Sequence, residues 1–491
     1  MNLRKIIFIV LCLVLSLLAL FLNPFRYDLP VGYAGMFASF GQQLVDENFR
    51  LPVYALGDVP YVYPPLGFYI MAVFLKLGVS DWLYLRFMPA IFSLAALLVF
   101  FLIYDQLNKS KIAAAVALLL LASSPYLVES NVWAAGIVRG LAFAFFALAF
   151  YAFLKLKPNS DWKLYALTGF FSGLAILSHP GYAFFLALWM GIWFLFHFDL
   201  WRKIPILLLF VLATISPWLI AVLSNHSFDV FIHALGSHGT LGLFSVIQDP
   251  ARLVDLIYLG VSKLFQIPLL GWLAVAGFAY HIYRRRFELP TLFVATLLFN
   301  LESRRFIVIL GILMAVGLLQ DFQQNFSSKK YANVAASLAL FFIVGVIYVS
   351  GLQRISIMKP SLTRPYLEMA ETLRQNSSPE ENYFIYADYQ EAEWFPYFSG
   401  RTPVFAHWAH EWQGNLGEQA DLLYENFACG QSADLDCIED IMLRAGEQPE
   451  YLIIMKGKYG QLIEKLSEGD DWKRLYNNRE YQIWQKVDPQ K

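Results

Sequence analysis

The sequence predicts a mainly α-helical, polytopic membrane bundle that carries a small α/β domain at its C-terminal end. Three observations predict it. Of 491 residues, 58% are hydrophobic and only 15% are charged, against about 25% charged in soluble domains; the mean hydropathy is +0.50. Uncharged apolar runs alternate with short loops that hold Lys and Arg. Beyond about residue 350 the chain changes to the mixed polar and apolar pattern of a small α/β unit. The domains read as 1–350, a transmembrane region that includes a first external segment at 23–84, and 351–491.

Residues 6–22, "IIFIVLCLVLSLLALFL", hold no charge and cover roughly 26 Å as a helix, near the thickness of a hydrocarbon core. Arg4 and Lys5 precede them, and no small-residue cleavage site follows. They read as a retained first helix and not a signal peptide. In the external segment, "PVGYAGMFASFGQQL" sets small and aromatic residues at helical spacing. "YVYPPLGFYIMAVFLKLGV" sets two prolines before an apolar run short for a full span. Both read as helices lying on the membrane surface, with tyrosines at headgroup depth. Further spans fall near 85–104, 111–127, 135–156, 163–178, 181–199, 204–224, 264–283, 289–301, 304–320 and 332–350, about eleven in all.

With residue 1 in the cytoplasm, Lys109/Lys111, Lys155/Lys157/Lys163, Arg202/Lys203, Arg284–Arg286 and Lys329/Lys330 all fall inside, and the opposite loops are poor in Lys and Arg. An odd count sends 352–491 to the extracytoplasmic side. In that tail "RPYLEMAETLRQ" reads as a helix, "NYFIYADYQ" and "YLIIMK" as strands, and "RLYNNREYQIWQKV" as a hairpin turning at Asn477-Asn478. Cys429 and Cys437 are a candidate disulfide in an oxidising compartment, with two reduced thiols the alternative; Cys12 reads as a small apolar residue of the first span.

A net charge of −1 argues against nucleic acid as a partner. No Walker loop, GxGxxG after a strand or hydrolase elbow is present, so a cytoplasmic nucleotide-sugar site is unsupported. Polar candidates cluster on the external side. "NLESRRF" (300–306) puts Glu302, Arg304 and Arg305 in an external turn, against the positive-inside trend. That placement points to a bound phosphate or to snorkelling arginines. Arg139 lies a few residues inside a span, where a charge must be paired; Glu129, Asp28 or a phosphate are candidate partners. A structural Glu129–Arg139 pair is the plain alternative. Asp28 follows the first helix, two residues after Arg26. With His179, His226, His233 or His238 it is a candidate ligand set for a divalent metal (Mn, Mg or Zn), although no two of these histidines have helical zinc-pair spacing. Asp46, Glu47 and Asp58 read as solvated. In the tail Asp388, Glu391, Glu393 and neighbouring aromatics are candidates for carbohydrate contact, with packing the competing role.

The order of first span, early Asp28, surface helix, "YPPLGFY", second surface helix and "LRFMPAIFSLAALLVFFLIYDQL" resembles the multi-spanning GT-C glycosyltransferases, the group of protein O-mannosyltransferases, aminoarabinose transferases and RgtA/B/C/D-like enzymes. It is also similar to the membrane family described as related to 6-pyruvoyl-tetrahydropterin synthase. "GFFSGLAILSHP" and "ISPWLIAVL" resemble further stretches of the group. The resemblance covers about residues 1–350. It implies transfer of a sugar from a polyprenyl-phosphate carrier to a protein, lipid or glycan acceptor at the outer face. It implies Asp28 as the catalytic carboxylate, Arg304 and Arg305 (with Arg139) as holders of the donor phosphate, and Tyr63, Tyr69, Glu129 and Glu302 near substrate. This chain departs from the pattern in reading Asp28-Leu29 where many members read Asp-Glu. It also has Val62 where some aminoarabinose transferases carry a metal-binding Glu. A transporter of lipid-linked sugars and a non-catalytic membrane scaffold are the alternative functions; no repeated halves favour the transporter.

Overall fold

The computed structural model describes residues 3–487 apart from 56–58, 158, 198–199, 201–202, 238–251, 300–302, 327–329, 379–380, 382, 387–388, 402–403, 405–409 and 447–449. The membrane bundle begins with α1 (Leu3–Arg26), α2 (Gly35–Asp46), a two-residue ladder of β1 (Tyr54–Ala55) and β2 (Val59–Pro60), and α3 (Leu66–Lys76). It continues with α4 (Asp81–Asn108), α5 (Lys111–Ala122), α6 (Pro125–Asn131), α7 (Gly136–Leu154), α8 (Trp162–Ile176), α9 (Pro180–Phe196), α10 (Ile204–Asn225) and α11 (Asp229–Ser237). Then come α12 (Arg252–Ser262), α13 (Pro268–Tyr283), α14 (Glu288–Leu297), α15 (Arg304–Asn325) and α16 (Lys330–Ser356).

Each of the eleven apolar segments contains a helix. Among the described residues, six of these helices are long and apolar enough to cross a membrane, and a seventh crossing arises if α5 and α6 form one broken span. That break differs from the unbroken 111–127 helix the sequence predicts. The chain bends by 68° between α5 and α6, because Pro125 has no N–H to continue the α5 ladder and instead opens α6. α3 is eleven residues long, about 16 Å, and does not span.

The basic loops meet at one end of the bundle. Lys203 Nζ donates to the Ser160 carbonyl at 2.6 Å, Gln106 to the Leu154 carbonyl at 2.8 Å, and Arg286 pairs with Asp321 at 3.1 Å. The other end gathers the segments around residues 27–34, 61–66, 123–135, 177–180 and 303–305. There Leu66 N donates to the Leu177 carbonyl at 2.9 Å and Ala134 N to the Val31 carbonyl at 3.0 Å. Between the ends lies an aromatic core of Phe146, Phe150, Trp189 and Phe306, with the buried Trp189 indole satisfied by Thr296 Oγ1 at 3.1 Å.

The C-terminal domain follows as α17 (Arg364–Asn376), β3 (Tyr383–Tyr386), α18 (Tyr389–Ser399), α19 (His410–Gln413), α20 (Leu416–Ser432), α21 (Leu435–Ala445), β4 (Tyr451–Met455), α22 (Gly460–Glu468), β5 (Trp472–Asn477) and β6 (Tyr481–Lys486). The sheet order is β3-β4-β6-β5; β3 and β4 are parallel and the other pairs antiparallel. Alternation along each strand splits its side chains between two faces. Phe384, Tyr386, Leu452, Ile454 and Trp484 pack under α20–α22. Tyr383, Ile385, Ile453 and Ile483 pack toward α17 and α18, in a cluster continuous with α2 and α3. The hairpin turns at Asn478, whose Oδ1 accepts from Glu480 N and Tyr481 N at 2.9 and 2.7 Å. Cys429 and Cys437 form a disulfide.

Candidate active site

The bend between α5 and α6 carries the chain back into the bundle, and α7 starts five residues after α6 ends. This places Asn131 and Trp133 beside Arg139 on the first turn of α7. Arg304 and Arg305 open α15 from the neighbouring side. Together with Tyr33, Tyr126, Glu129, Ser130 and Ala135 these helices enclose a cavity of about 270 Å³, lined also by Trp133, Arg139, Arg304 and Arg305. Three guanidinium groups therefore face one described carboxylate, Glu129, in a space walled by three aromatic rings.

Two of the cations lie over aromatic rings. Arg139 lies over the Tyr33 ring at 6.0 Å and Arg305 over the Tyr182 ring at 4.9 Å. Tyr182 donates its hydroxyl in a short bond to Asn131 Oδ1. Arg305 is buried, at 4% exposure. Asn131 Nδ2, Trp133 Nε1, Arg139 Nε and Arg304 Nε are buried donors with no partner among the described residues. Unsatisfied buried donors cost about 1–3 kcal/mol each, and several around one cavity mark a place for an anion with several acceptor oxygens. The start of α15 adds the positive end of its helix dipole. Glu129 lies within electrostatic reach of Lys263 and Arg139, and Lys263 sits over the Tyr126 ring at 4.8 Å.

The structure brings Arg139, Arg304, Arg305 and Glu129 together, and does not bring all the predicted residues with them. Asp28 occupies the turn after α1 and is exposed. It makes no described hydrogen bond, and the neighbouring Arg26 Nη1 donates to the Ser356 carbonyl at 2.6 Å. The next residues, Leu29, Pro30 and Val31, line a small cleft with Arg86 and Trp133; Trp133 is the wall shared with the arginine cavity.

Tyr63 is not at a lipid headgroup but buried, its ring 5.1 Å from Phe37, 5.6 Å from Phe68, and 6.1 Å from both His179 and Trp412. The C-terminal domain supplies Trp412 and so covers the tyrosine. Burial raises the Tyr63 pKa well above its usual value, while nearby Arg139 lowers it less. Tyr69 is half-buried, and its hydroxyl donates to the Phe49 carbonyl at 3.3 Å. Glu302, His238, Asp58 and Asp388 lie outside the described residues.

The metal set does not assemble. His179 Nδ1 accepts the Gly181 N–H at 3.1 Å and caps α9, and His233 packs on Gly414 from α11. Among the described residues no three His, Cys, Asp or Glu side chains converge as ligands.

Sequence reasoning missed Tyr33, Tyr126, Trp133, Asn131 and Tyr182. A local signal existed for two of them, because Tyr126 and Trp133 stand three before and four after Glu129, the spacing of one helical face.

The fold of this bundle, with its broken span and its small C-terminal sheet, is that of its structural neighbours, which belong to the GT-C glycosyltransferases. Residues 62–221 match the family described as dolichyl-phosphate-mannose-protein mannosyltransferase. Among solved structures the chain is similar to the Archaeoglobus fulgidus oligosaccharyltransferase in complex with Zn and sulfate. The TM-score is 0.64 at 13% identity, over 98% of this chain and 73% of that one. It is similar to ArnT from Cupriavidus metallidurans bound to undecaprenyl phosphate, with a TM-score of 0.59 at 15% identity over 99% and 98% of the two chains. It is also similar to the arabinofuranosyltransferase AftD from Mycobacteria, with a TM-score of 0.52 at 12% identity over 99% of this chain and 40% of that one. At these identities the likeness establishes the fold. No curated protein matches the sequence significantly.

Proposed function

We propose that the chain is a membrane glycosyltransferase that moves a sugar from a polyprenyl-phosphate carrier to an acceptor on the extracytoplasmic face. The observation that carries the reading is the convergence of Arg139, Arg304 and Arg305 on one cavity with orphaned buried donors. Guanidinium forks match a phosphate group, and a lipid-linked phosphate explains why the cavity lies at one end of a membrane bundle. The ArnT structure was solved with undecaprenyl phosphate, which fits a donor of this class. In this reading the N-terminus is cytoplasmic, residues 1–350 form the membrane domain, and residues 351–491 lie outside.

The chemistry assigns roles to the chain's own groups. The acceptor hydroxyl loses its proton to a carboxylate as its oxygen bonds to the anomeric carbon. The bond from that carbon to the phosphate oxygen breaks, and polyprenyl phosphate leaves with the electron pair. Arg139, Arg304 and Arg305 stabilise the charge that develops on it. Asp28 is the proposed base. It is exposed, makes no described hydrogen bond, and precedes a cleft that shares Trp133 with the cavity. Glu129 is the second reading for this role, because it lines the cavity itself. In this reading Tyr63, Tyr69 and Glu302 are near substrate.

The test uses the full chain in nanodiscs. Arg304→Ala and Arg305→Ala are expected to weaken undecaprenyl phosphate binding by about tenfold or more each, with melting unchanged. Asp28→Asn is expected to keep that binding and lose sugar transfer; Glu129→Gln in the same assay decides between the two carboxylates. Unaltered lipid affinity in both arginine variants would overturn the reading.

A further inference from the structure

Four aromatic rings in contact connect the C-terminal domain to the arginine cavity. Trp412 of α19 meets the Tyr63 ring edge to face, with 6.1 Å between centroids and 76° between planes. Tyr63 meets His179 at 6.1 Å and 81°, and His179 meets Tyr182 at 5.6 Å and 88°. Arg305, which lines the cavity, lies over the Tyr182 ring at 4.9 Å. All of these side chains are buried.

The ladder is fixed at both ends. His179 Nδ1 accepts the Gly181 N–H at 3.1 Å, which ties its ring to the start of α9, and Tyr182 stands on the first turn of that helix. The Tyr182 hydroxyl is held by Asn131 Oδ1. Tyr182 also packs on Phe143, Phe146 and Phe306 within the bundle, but His179 is the ring that joins it to Tyr63 and the C-terminal domain. At the other end, Phe37 of α2 and Phe68 of α3 flank Tyr63 at 5.1 and 5.6 Å. The helix that carries Trp412, α19, packs against β2 and α11. Gly414 ends it at φ 81°, and a Cβ there would stand 3.0 Å from the His233 ring of α11. The seat of α19 on the membrane domain is therefore close, and it sets Trp412 against Tyr63.

We propose that Trp412 is a positioning residue, through which the C-terminal domain holds the Tyr182 ring beneath Arg305 and so sets how tightly the cavity binds a lipid-linked phosphate. The inference rests on the reading of that cavity as a phosphate site. Edge-to-face pairs constrain the angle between rings as well as their distance, and a close-packed interior passes a displacement from one side chain to the next. A guanidinium lying on a ring takes its orientation from that face. Loss of the Trp412 ring opens space beside Tyr63. The rings relax into it, and the phosphate meets a less ordered Arg305.

The experiment measures undecaprenyl phosphate binding to the full chain in nanodiscs. Trp412→Leu keeps apolar bulk but removes the ring, and is expected to weaken binding about threefold. Trp412→Phe keeps a ring edge and should restore most of that loss. Tyr63→Leu breaks the next step and should weaken binding to a similar degree; it decides the case if Trp412→Leu fails to melt cooperatively. In a Tyr182→Leu background neither change should weaken binding further, because the ladder no longer reaches Arg305. A merely structural role would give additive losses instead. The control is the double change Cys429→Ser and Cys437→Ser, which loosens the C-terminal domain away from the ladder and should leave lipid affinity unchanged. Wild-type affinity in the folded Trp412→Leu or Tyr63→Leu variant, equal losses in both backgrounds, or the same loss in the control would overturn this inference. If Arg304→Ala and Arg305→Ala still weaken binding, the phosphate site stands. Binding indifferent to both arginines would overturn the phosphate site itself.

Discussion

The Trp394 indole donates its Nε1–H to the Gly32 carbonyl at 3.0 Å, joining the C-terminal domain to the segment between α1 and α2. Gly32 sits in the left-handed region at φ 82°, and Trp133 lies against its Cα. One side chain thus anchors the domain to the loop that also presents Tyr33 to Arg139. Trp394→Ala is expected to cost about 3–5 kcal/mol, from lost burial and the cavity left behind. Trp394→Phe should cost about 1 kcal/mol, chiefly the hydrogen bond. Thermal melting in detergent and limited proteolysis near residue 360 would read both; equal losses would show that the bond and not the packing dominates.

Gly35→Ala tests the closeness of the same contact. The added methyl meets main-chain atoms of Glu393 and Trp394, which cannot rotate away. We expect a drop of several degrees in melting temperature and loss of transfer activity. Gly191→Ala on α9 is the control, since nothing lies within 4 Å of its added Cβ. It should gain up to about 1 kcal/mol from helix propensity.

Stability should depend on pH through Glu393. A glutamate in the unfolded chain ionises at about pH 4.3, and in the fold it keeps its proton to about 8. Between those values the folded state binds more protons than the unfolded one, so stability falls as pH rises through the window and levels off above it. Glu393→Gln removes this loss. Its melting advantage over wild type should be absent at the acid edge, grow up to about pH 8, and then stay constant. A gap independent of pH would contradict the buried carboxylate.

Tyr182 presents two separable supports to Arg305. Tyr182→Phe removes the bond to Asn131 but keeps the ring beneath the guanidinium; donor-lipid affinity should fall about threefold. Tyr182→Leu removes the ring too and should lose about tenfold more. Isothermal titration with undecaprenyl phosphate distinguishes the steps, and identical affinities for the two variants would remove the ring from the account.

The disulfide between Cys429 and Cys437 closes a short loop, with a sequence separation of 8. Loop-closure entropy of this size is worth about 2–3 kcal/mol. Replacing both cysteines by serine should lower the melting temperature of the C-terminal domain. Alkylation of the denatured, unreduced protein should label Cys12 alone, since the fold buries it; labelling of all three would mean the bridge does not form.

The positions of the helices were legible in the sequence because apolar run length and period are local properties. The same holds for the bend at Pro125, which the unbroken reading of 111–127 overlooked although proline carries the signal in its missing N–H. The hairpin at Asn478 and the alternating faces of β3, β4 and β6 are likewise written in neighbouring residues. Arg304 and Arg305 stood out because the charge pattern predicts an external turn there, where two cations point to a bound phosphate or to snorkelling.

What the sequence could not decide is which distant residues share a space. Asp28, singled out by its place after α1, is exposed outside the arginine cavity. Glu393, one acidic residue among several in the tail, is buried with its backbone against Gly35. The sequence by itself determined a helical membrane bundle with a small α/β domain and a cationic turn, since hydropathy, charge and turn chemistry act within a few residues. Only the tertiary structure decided that a glycine at position 35 lets the C-terminal helix touch α2, and that Trp394 of that helix bonds to the Gly32 carbonyl. Burial and electrostatic neighbourhood depend on packing between segments far apart in the chain, and no local pattern encodes them.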